Sequence, residues 1–411
     1  MSHAETRQQL NHLLRDLADT LDVPPSKYAD AKDHYKAVGD WLNDEDSELA
    51  PYSPEIYAQG SFALGTAVRP LGEDEYDVDA VCLLDLTDRQ VTQCQLKEMV
   101  GRRLKHPSSR YKKKIDPEEG GRRCWTIQYA DDSQFHLDVL PALPDHPEWL
   151  EAVGVDGDIA DHAIRITDKK TPDYLTGWPA DGNGTHDPTR SNPKGYATWF
   201  KDRMRVRLDE AKATLLAGRR ASGRVVASVE EIEDYEVRTP LQRVIQILKR
   251  HRDVRYNGDD DRPISIIITT LAAQAYDNEA DLYDAVLKIV PGMRQHIERR
   301  DGVYWVPNPV NPLENFADKW EESPRKAEVF FEWLDAVEAE YEYLITEEGF
   351  SRVGTYLTAS YGERAGRDTM TKYASRATTA TAPIVLVPRK TPEAAKPRVE
   401  PSGSPSKPWS C

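Results

Sequence analysis

Apolar positions along the chain change period twice. From 4 to 21, Leu10, Leu13, Leu14, Leu17 and Leu21 recur at helical spacing, and Pro24-Pro25 closes that segment. Ser26 to Asn43 predicts a second helix, with Tyr28, Tyr35, Val38 and Leu42 available for packing. Between 55 and 142 the period shortens to two, interrupted by a helical stretch near 89–105. Ile56-Tyr57-Ala58 reads as a short strand entering a tight turn. Tyr76 to Leu84 and Phe135 to Val139 read as strands with one apolar and one polar face. The helical period then returns. Pro193 opens one helix, with Tyr196, Trp199 and Phe200 read as core, and others span about 239–256, 263–277, 279–292, 325–345 and 350–362. Phe330, Phe331, Leu334, Val337 and Tyr341 form a core-facing stripe, and Asn308-Pro-Val-Asn-Pro312 predicts a turn between helices. Residues 155–192 read as a long connection and 217–233 as an exposed loop. The pattern predicts an α+β chain: a small mixed sheet, then a helical lobe, with no internal repeat.

The candidate chemistry sits on the strands. In Tyr76-Asp-Val-Asp79 the two carboxylates project to one face while Val78 and Ala80 face the other. In Phe135-His-Leu-Asp-Val139 the polar face carries His136 and Asp138. Two adjacent strands would bring Asp77, Asp79 and Asp138 to one edge. Three unpaired carboxylates there repel one another. A hard divalent cation with oxygen ligands removes that cost, and a two-metal site clamps both oxygens of an in-line displacement. Upstream, Gly60-Ser61 offers a turn whose backbone can approach a phosphate and whose serine donates from N–H and hydroxyl. Gly65-Thr66 extends it. In the helical region, Thr239-Pro240-Leu241-Gln242 carries an N-cap, a proline at N1 and a capping-box glutamine. Lys249 follows among Arg243, Arg250 and Arg252. Pro263 suits the first turn of the next helix and places Ser265 there, where a helix N-terminus favours anions.

Composition narrows the partners. Over 411 residues, 54 Lys plus Arg against 70 Asp plus Glu give a net charge of −16. Phosphate neutralisation dominates nucleic-acid affinity, so this balance argues against a stable complex with a duplex. Residues 101–123 are the local exception. They hold nine basic side chains against Asp116, Glu118 and Glu119, and read as a solvated hairpin or loop, with a phosphate-attracting rim as the alternative. The four cysteines form no Cys-x-x-Cys pair and no zinc spacing. No signal peptide or run of eighteen apolar residues occurs, which predicts a cytoplasmic protein without a membrane span. From 378 to 411, seven prolines in 34 residues predict a disordered tail.

Taken together, Gly60-Ser61-Phe-Ala-Leu-Gly-Thr66, Tyr76-Asp-Val-Asp79 and Leu137-Asp-Val-Leu-Pro141 resemble the polymerase-β-like nucleotidyltransferase superfamily. Within it they are most similar to the cGAS/DncV-like group of bacterial CBASS antiphage signalling, the CD-NTases. The resemblance extends through Thr239–Arg252, Pro263–Thr270 and Asn308–Asn315, over about 1–360. It implies N-terminal helices packing on the lobes (1–50), a catalytic nucleotidyltransferase core (51–190), a helical lobe completing the nucleotide pocket (191–377) and the tail (378–411). Asp77, Asp79 and Asp138 would ligate two Mg²⁺ (Mn²⁺ as a substitute), and Asp138 would help deprotonate the acceptor ribose hydroxyl. Gly60, Ser61, Lys249 and Ser265 would contact the donor triphosphate. Nucleoside triphosphates, ATP among them, would be joined into a cyclic di- or trinucleotide messenger. A regulatory or C-terminus-conjugating protein partner is also implied, although Cys411 departs from the small last residue such conjugation expects. The rival readings are a nucleotidyltransferase that makes linear oligomers or modifies RNA or protein, and a catalytically silent nucleotide-binding partner.

Overall fold

The computed structural model describes residues 3–379 except 73–74, 116–120, 130–134, 181–186, 223–231 and 347–349. Helices α1 (His3–Leu21) and α2 (Pro25–Leu42) open the chain. Then come β1 (Glu55–Gln59), β2 (Tyr76–Leu83), α3 (Gln93–Leu104), β3 (Trp125–Tyr129), β4 (Phe135–Pro144), β5 (Ile164–Ile166) and β6 (Arg190–Ser191). The longer helices that follow are α4 (Pro193–Ala221), α5 (Pro240–Arg255), α6 (Ser265–Ala275) and α7 (Leu282–Met293). They continue with α8 (Pro324–Thr346), α9 (Phe350–Tyr361) and α10 (Glu363–Thr379). The architecture is a mixed sheet with a largely helical C-terminal part.

Six strands pair in the order β1-β2-β4-β5-β6, with β3 also on β4. Only β2 and β4 run parallel in this sheet; the other pairs are antiparallel. One face packs Val78, Ala80, Cys82, Leu137 and Val139 against Val38 and Leu42 of α2 and Leu96 and Val100 of α3. Gly101 makes the α3 contact possible, since a Cβ there would lie 2.3 Å from the Trp125 ring. The leucines of α1 instead join the second core, with Leu248, Leu271, Ile289, Phe330 and Trp333 of the helical part. The turn at Pro24 therefore parts the two N-terminal helices between two cores.

Several expectations need correction. The 155–192 stretch is more than a connection, because it supplies β5 and β6. Ile164 and Ile166 pack with Val81 and Leu140, a pattern too short to see against Gly, Asp and Pro. Arg122 and Arg123 are half-buried rather than fully solvated. Both donate to the fully buried Asp168, Arg122 Nε at 2.6 Å and Arg123 Nε at 3.0 Å. Burial alone would raise that carboxyl's pKa; the two guanidiniums hold it below the usual range. Arg103 is buried too, stacked over Trp41 at 3.7 Å. Asn308 to Pro312 lies in a small ladder, Pro307–Asn308 against Asn311–Asn315, rather than in a plain turn between helices. Helix α6 starts at Ser265, with Pro263 and Ile264 outside it. Thr378 and Thr379 belong to α10, and the rest of the Pro-rich tail lies outside the described residues, as do 223–231 of the proposed 217–233 loop.

Candidate active site

Strand register builds the site. Asp79 pairs with Gln59 on β1 and with Asp138 on β4, and Asp138 pairs with Thr126 on β3. Directly paired residues share a face, so Gln59, Asp79, Asp138 and Thr126 form one polar row across four strands. Asp77, His136 and Gln128 form the neighbouring row. The row on the other side is apolar: Tyr57, Val81 and Leu140. Asp77 is exposed, Asp79 half-buried and Asp138 buried. Thr126 Oγ1 donates to Asp138 Oδ1 at 2.5 Å, and His136 Nε2 pairs with Glu75.

The Gly60-Ser61 turn closes over this row. β1 ends at Gln59, and Gly60 turns the chain at φ +62, a conformation costly for other residues. A Cβ at Gly60 would lie 2.5 Å from Asp79 Oδ2, so glycine is also what lets the turn approach the carboxylate. One helical turn, Gly60–Ala63, is then closed by Gly65 N–H to Phe62 O (3.2 Å) and Thr66 N–H to Ser61 O (2.9 Å), with Gly65 at φ +63. This is a Schellman closure with glycine at its left-handed position.

Helix α5 lies along the next residues and donates to them at successive turns. Gln242 Nε2 reaches Leu64 O at 2.9 Å, and Gln246 Nε2 reaches Ala67 O at 2.9 Å. Lys249 Nζ reaches Thr66 Oγ1 at 3.1 Å and Thr66 O at 3.3 Å, and Arg250 donates to Arg69 O. Lys249 is 5 % exposed. Burial pushes its pKa down to about 7, Arg252 adds to the effect, and Asp253 and Asp79 oppose it. The helical part thus sets a buried amine against the end of the Gly60–Thr66 turn. Ser265 is joined to α5 as well, its Oγ accepting from Arg252 Nη1 and Nη2 at 3.3 Å. It opens α6 but serves the α5–α6 junction.

The structure therefore brings Asp77, Asp79 and Asp138 to one face of the sheet beneath Gly60 and Ser61, with Lys249 bound to the same turn and Ser265 one junction away. Thr126, Gln59 and Gln246 were missed, and Gln242 was read only as a capping residue. Alternation in Trp125–Tyr129 was the available signal for Thr126; nothing local in sequence announced the register partners. The donor set fits a hard cation, with only carboxylate oxygens at the centre and a hydroxyl bracing the most buried one. Among the described residues, no three acidic, His or Cys side chains are already drawn into a metal-holding cluster. Asp138 is turned toward Thr126 and Asp79 lies beneath Gly60.

A mixed sheet presenting acidic pairs beneath a Gly-Ser turn is the arrangement of a nucleotidyltransferase. Residues 54–141, which hold all three carboxylates and the turn, match the family model "Cyclic GMP-AMP synthase DncV-like, nucleotidyltransferase domain". Over 366 residues the chain is 31 % identical to the c-di-GMP synthase of Roseivirga ehrenbergii, covering 88 % of this chain and 86 % of that protein. It is 25 % identical over 327 residues to the cyclic dinucleotide synthase CdnG of Bradyrhizobium diazoefficiens, covering 76 % and 71 %. The solved structure of that CdnG with GTP superposes with a TM-score of 0.65 at 22 % identity, covering 89 % of this chain and 99 % of the other. E. coli CdnC with ATP superposes at 0.55 and 15 % identity, covering 86 % and 97 %. The chain belongs to the DncV-like nucleotidyltransferases, the CD-NTase family of cyclic dinucleotide synthases.

Proposed function

We propose that this protein condenses two nucleoside triphosphates, GTP first among the candidates, into a cyclic dinucleotide, releasing two pyrophosphates per ring. The observation that carries the reading is the polar row of Asp79 and Asp138, with Asp77 beside it, lying under the Gly60 turn. GTP is put first because the 31 % identical relative is named a c-di-GMP synthase.

Asp77, Asp79 and Asp138 would hold Mg²⁺, which supplies charge neutralisation for the triphosphate and acidifies the attacking hydroxyl. Asp138, oriented by Thr126, would receive the proton of the acceptor ribose hydroxyl. That oxygen bonds to the donor's α-phosphorus as the bond to the β-phosphate breaks. The Gly60-Ser61 turn would seat the triphosphate. Lys249 would face the charge that accumulates on the departing pyrophosphate, and the Ser265 hydroxyl would extend the same wall. A second, intramolecular transfer closes the ring. Positioning and fixed charge supply most of the acceleration in such a scheme.

To test this, purified protein is incubated with each nucleoside triphosphate and Mg²⁺, treated with phosphatase and analysed by mass spectrometry. The wild type should leave a phosphatase-resistant cyclic dinucleotide, and Asp77→Ala/Asp79→Ala none. Identical profiles, or a product that phosphatase degrades, would contradict the reading.

The proposal extends to antiphage signalling and to a regulatory protein partner; E. coli CdnC has a solved complex with HORMA-deltaN. Phage plating on cells carrying the intact locus or the double alanine variant checks it: protection that survives the substitutions speaks against the role.

A further inference from the structure

We infer that Gln242 is a positioning residue for the triphosphate turn, its single amide coupling the start of α5 to the closure of that turn. The inference rests on the nucleotidyl-transfer reading above.

The two ends of this side chain do different work. Gln242 Oε1 accepts from Thr239 N at 2.9 Å and from Thr239 Oγ1 at 3.2 Å, which completes the capping box of α5. Gln242 Nε2 donates to Leu64 O at 2.9 Å. Leu64 is the residue at which the Gly60–Ala63 turn ends, and its neighbour Gly65 makes the left-handed closure. Gln242 is 2 % exposed and Leu64 8 %, so no bulk water replaces this bond. The approach is close enough to dictate the next residue: a Cβ on Gly65 would lie 2.5 Å from Gln242 Nε2. Gly65 is thus demanded twice, by φ and by the incoming amide.

Gln242 is also the first in a row. Gln246 and Lys249, one and two turns along the same face, hold Ala67 and Thr66. Gln246 is anchored in turn by Asp22, which its Nε2 reaches at 2.8 Å. Without the Gln242 donor, Leu64 O loses its partner at the point where the turn must hold its shape against a tetra-anionic ligand. Preorganised backbone loses less on binding than backbone that must be ordered by the ligand.

The side-chain chemistry offers a clean separation. An ionised glutamate only accepts. Gln242→Glu keeps the acceptor that caps α5 and removes the donor that holds Leu64. Gln242→Met removes both without adding a charge. For each full-length variant, four quantities are measured: the thermal unfolding midpoint, the affinity for a non-hydrolysable GTP analogue with Mg²⁺, and kcat and KM for GTP.

Both variants are expected to fold, with analogue affinity about 10-fold weaker and KM raised to match, while kcat falls less. A folded Gln242→Met with wild-type affinity and KM overturns the inference; in Gln242→Glu, affinity should weaken as pH rises and the carboxyl ionises, and wild-type affinity at every pH overturns it too. So does failure of both to fold, which would make Gln242 a core residue. Wild-type protein that neither binds the analogue nor forms product sinks the underlying function instead, so the two failures are told apart.

Discussion

Thr126 reaches Asp138 through one hydrogen bond of 2.5 Å, and that contact decides which way a buried carboxylate faces. Groups that brace a metal ligand typically matter by 10- to 100-fold. Thr126→Val keeps the shape and removes the donor; kcat/KM for GTP is expected to fall by about 10- to 100-fold, with a higher Mg²⁺ requirement. A variant with unchanged Mg²⁺ dependence contradicts the role. Lys249 carries a different signature. Its pKa is near 7 in the fold, driven down mainly by burial, against 10.5 for the free group. The folded state therefore binds fewer protons than the unfolded state between those values, and stability rises with pH across that window. The penalty of burying the charge is full below pH 7 and is relieved toward pH 10.5. Lys249→Met is accordingly expected to be more stable than wild type in urea at pH 7, with the gap shrinking as pH rises, while nucleotide affinity drops. A gap independent of pH would contradict the burial argument. The carboxylates were legible residue by residue, because strand alternation alone puts Asp77 with Asp79 and His136 with Asp138. Thr126 was not, because only register reveals that it faces Asp138.

Among the elements, α5 joins the two parts of the molecule. Its N-terminus was readable to the residue, since Thr239-Pro240 and Gln242 state a cap, a start and a capping box. What it grips was not readable, because the carbonyls of Leu64, Ala67 and Arg69 have no side-chain signature. The opposite end of the same helix is pinned by His251, whose Nδ1 accepts from Trp333 Nε1 at 3.0 Å and whose Nε2 faces Glu340 at 3.0 Å. An accepting Nδ1 fixes the proton on Nε2. Helix α10 escaped notice because Gly362, at φ +91, ends the preceding helix, and the residues after it are mostly polar. Helix α3 offers the clearest element-scale test. Gly101→Ala drives a methyl into Trp125, and overpacking of this kind costs about 1–3 kcal/mol. The urea midpoint should fall accordingly; an unchanged midpoint would mean that helix and sheet can separate without loss.

At the scale of the whole molecule, the chain crosses between two cores at Pro24 and again between β6 and α4, and the α5 contacts with residues 64–69 tie them together. The net charge of −16 is spread over a surface that must still admit a tetra-anionic nucleotide. On the proposed mechanism, entry would depend on local cation, metal and backbone donors rather than on a general positive field. Binding of GTP should accordingly vanish on removal of divalent ions with chelator, and calorimetry of GTP titrations with and without EDTA checks this. No described helix is long and apolar enough to cross a membrane. Fold class was legible from the change of period along the chain. The adjacency of a strand near 80 and one near 138 was assumed rather than read, because alternation sets only the face of each carboxylate and no local rule selects a parallel partner 59 residues away.

The most direct measurement is anomalous scattering from crystals soaked with Mn²⁺ and a non-hydrolysable GTP analogue. The account predicts peaks bounded by the carboxylates of Asp77, Asp79 and Asp138, with the triphosphate running under Gly60 and Ser61 toward Lys249. Peaks at any other group of ligands, or a nucleotide bound away from these three side chains, would contradict it.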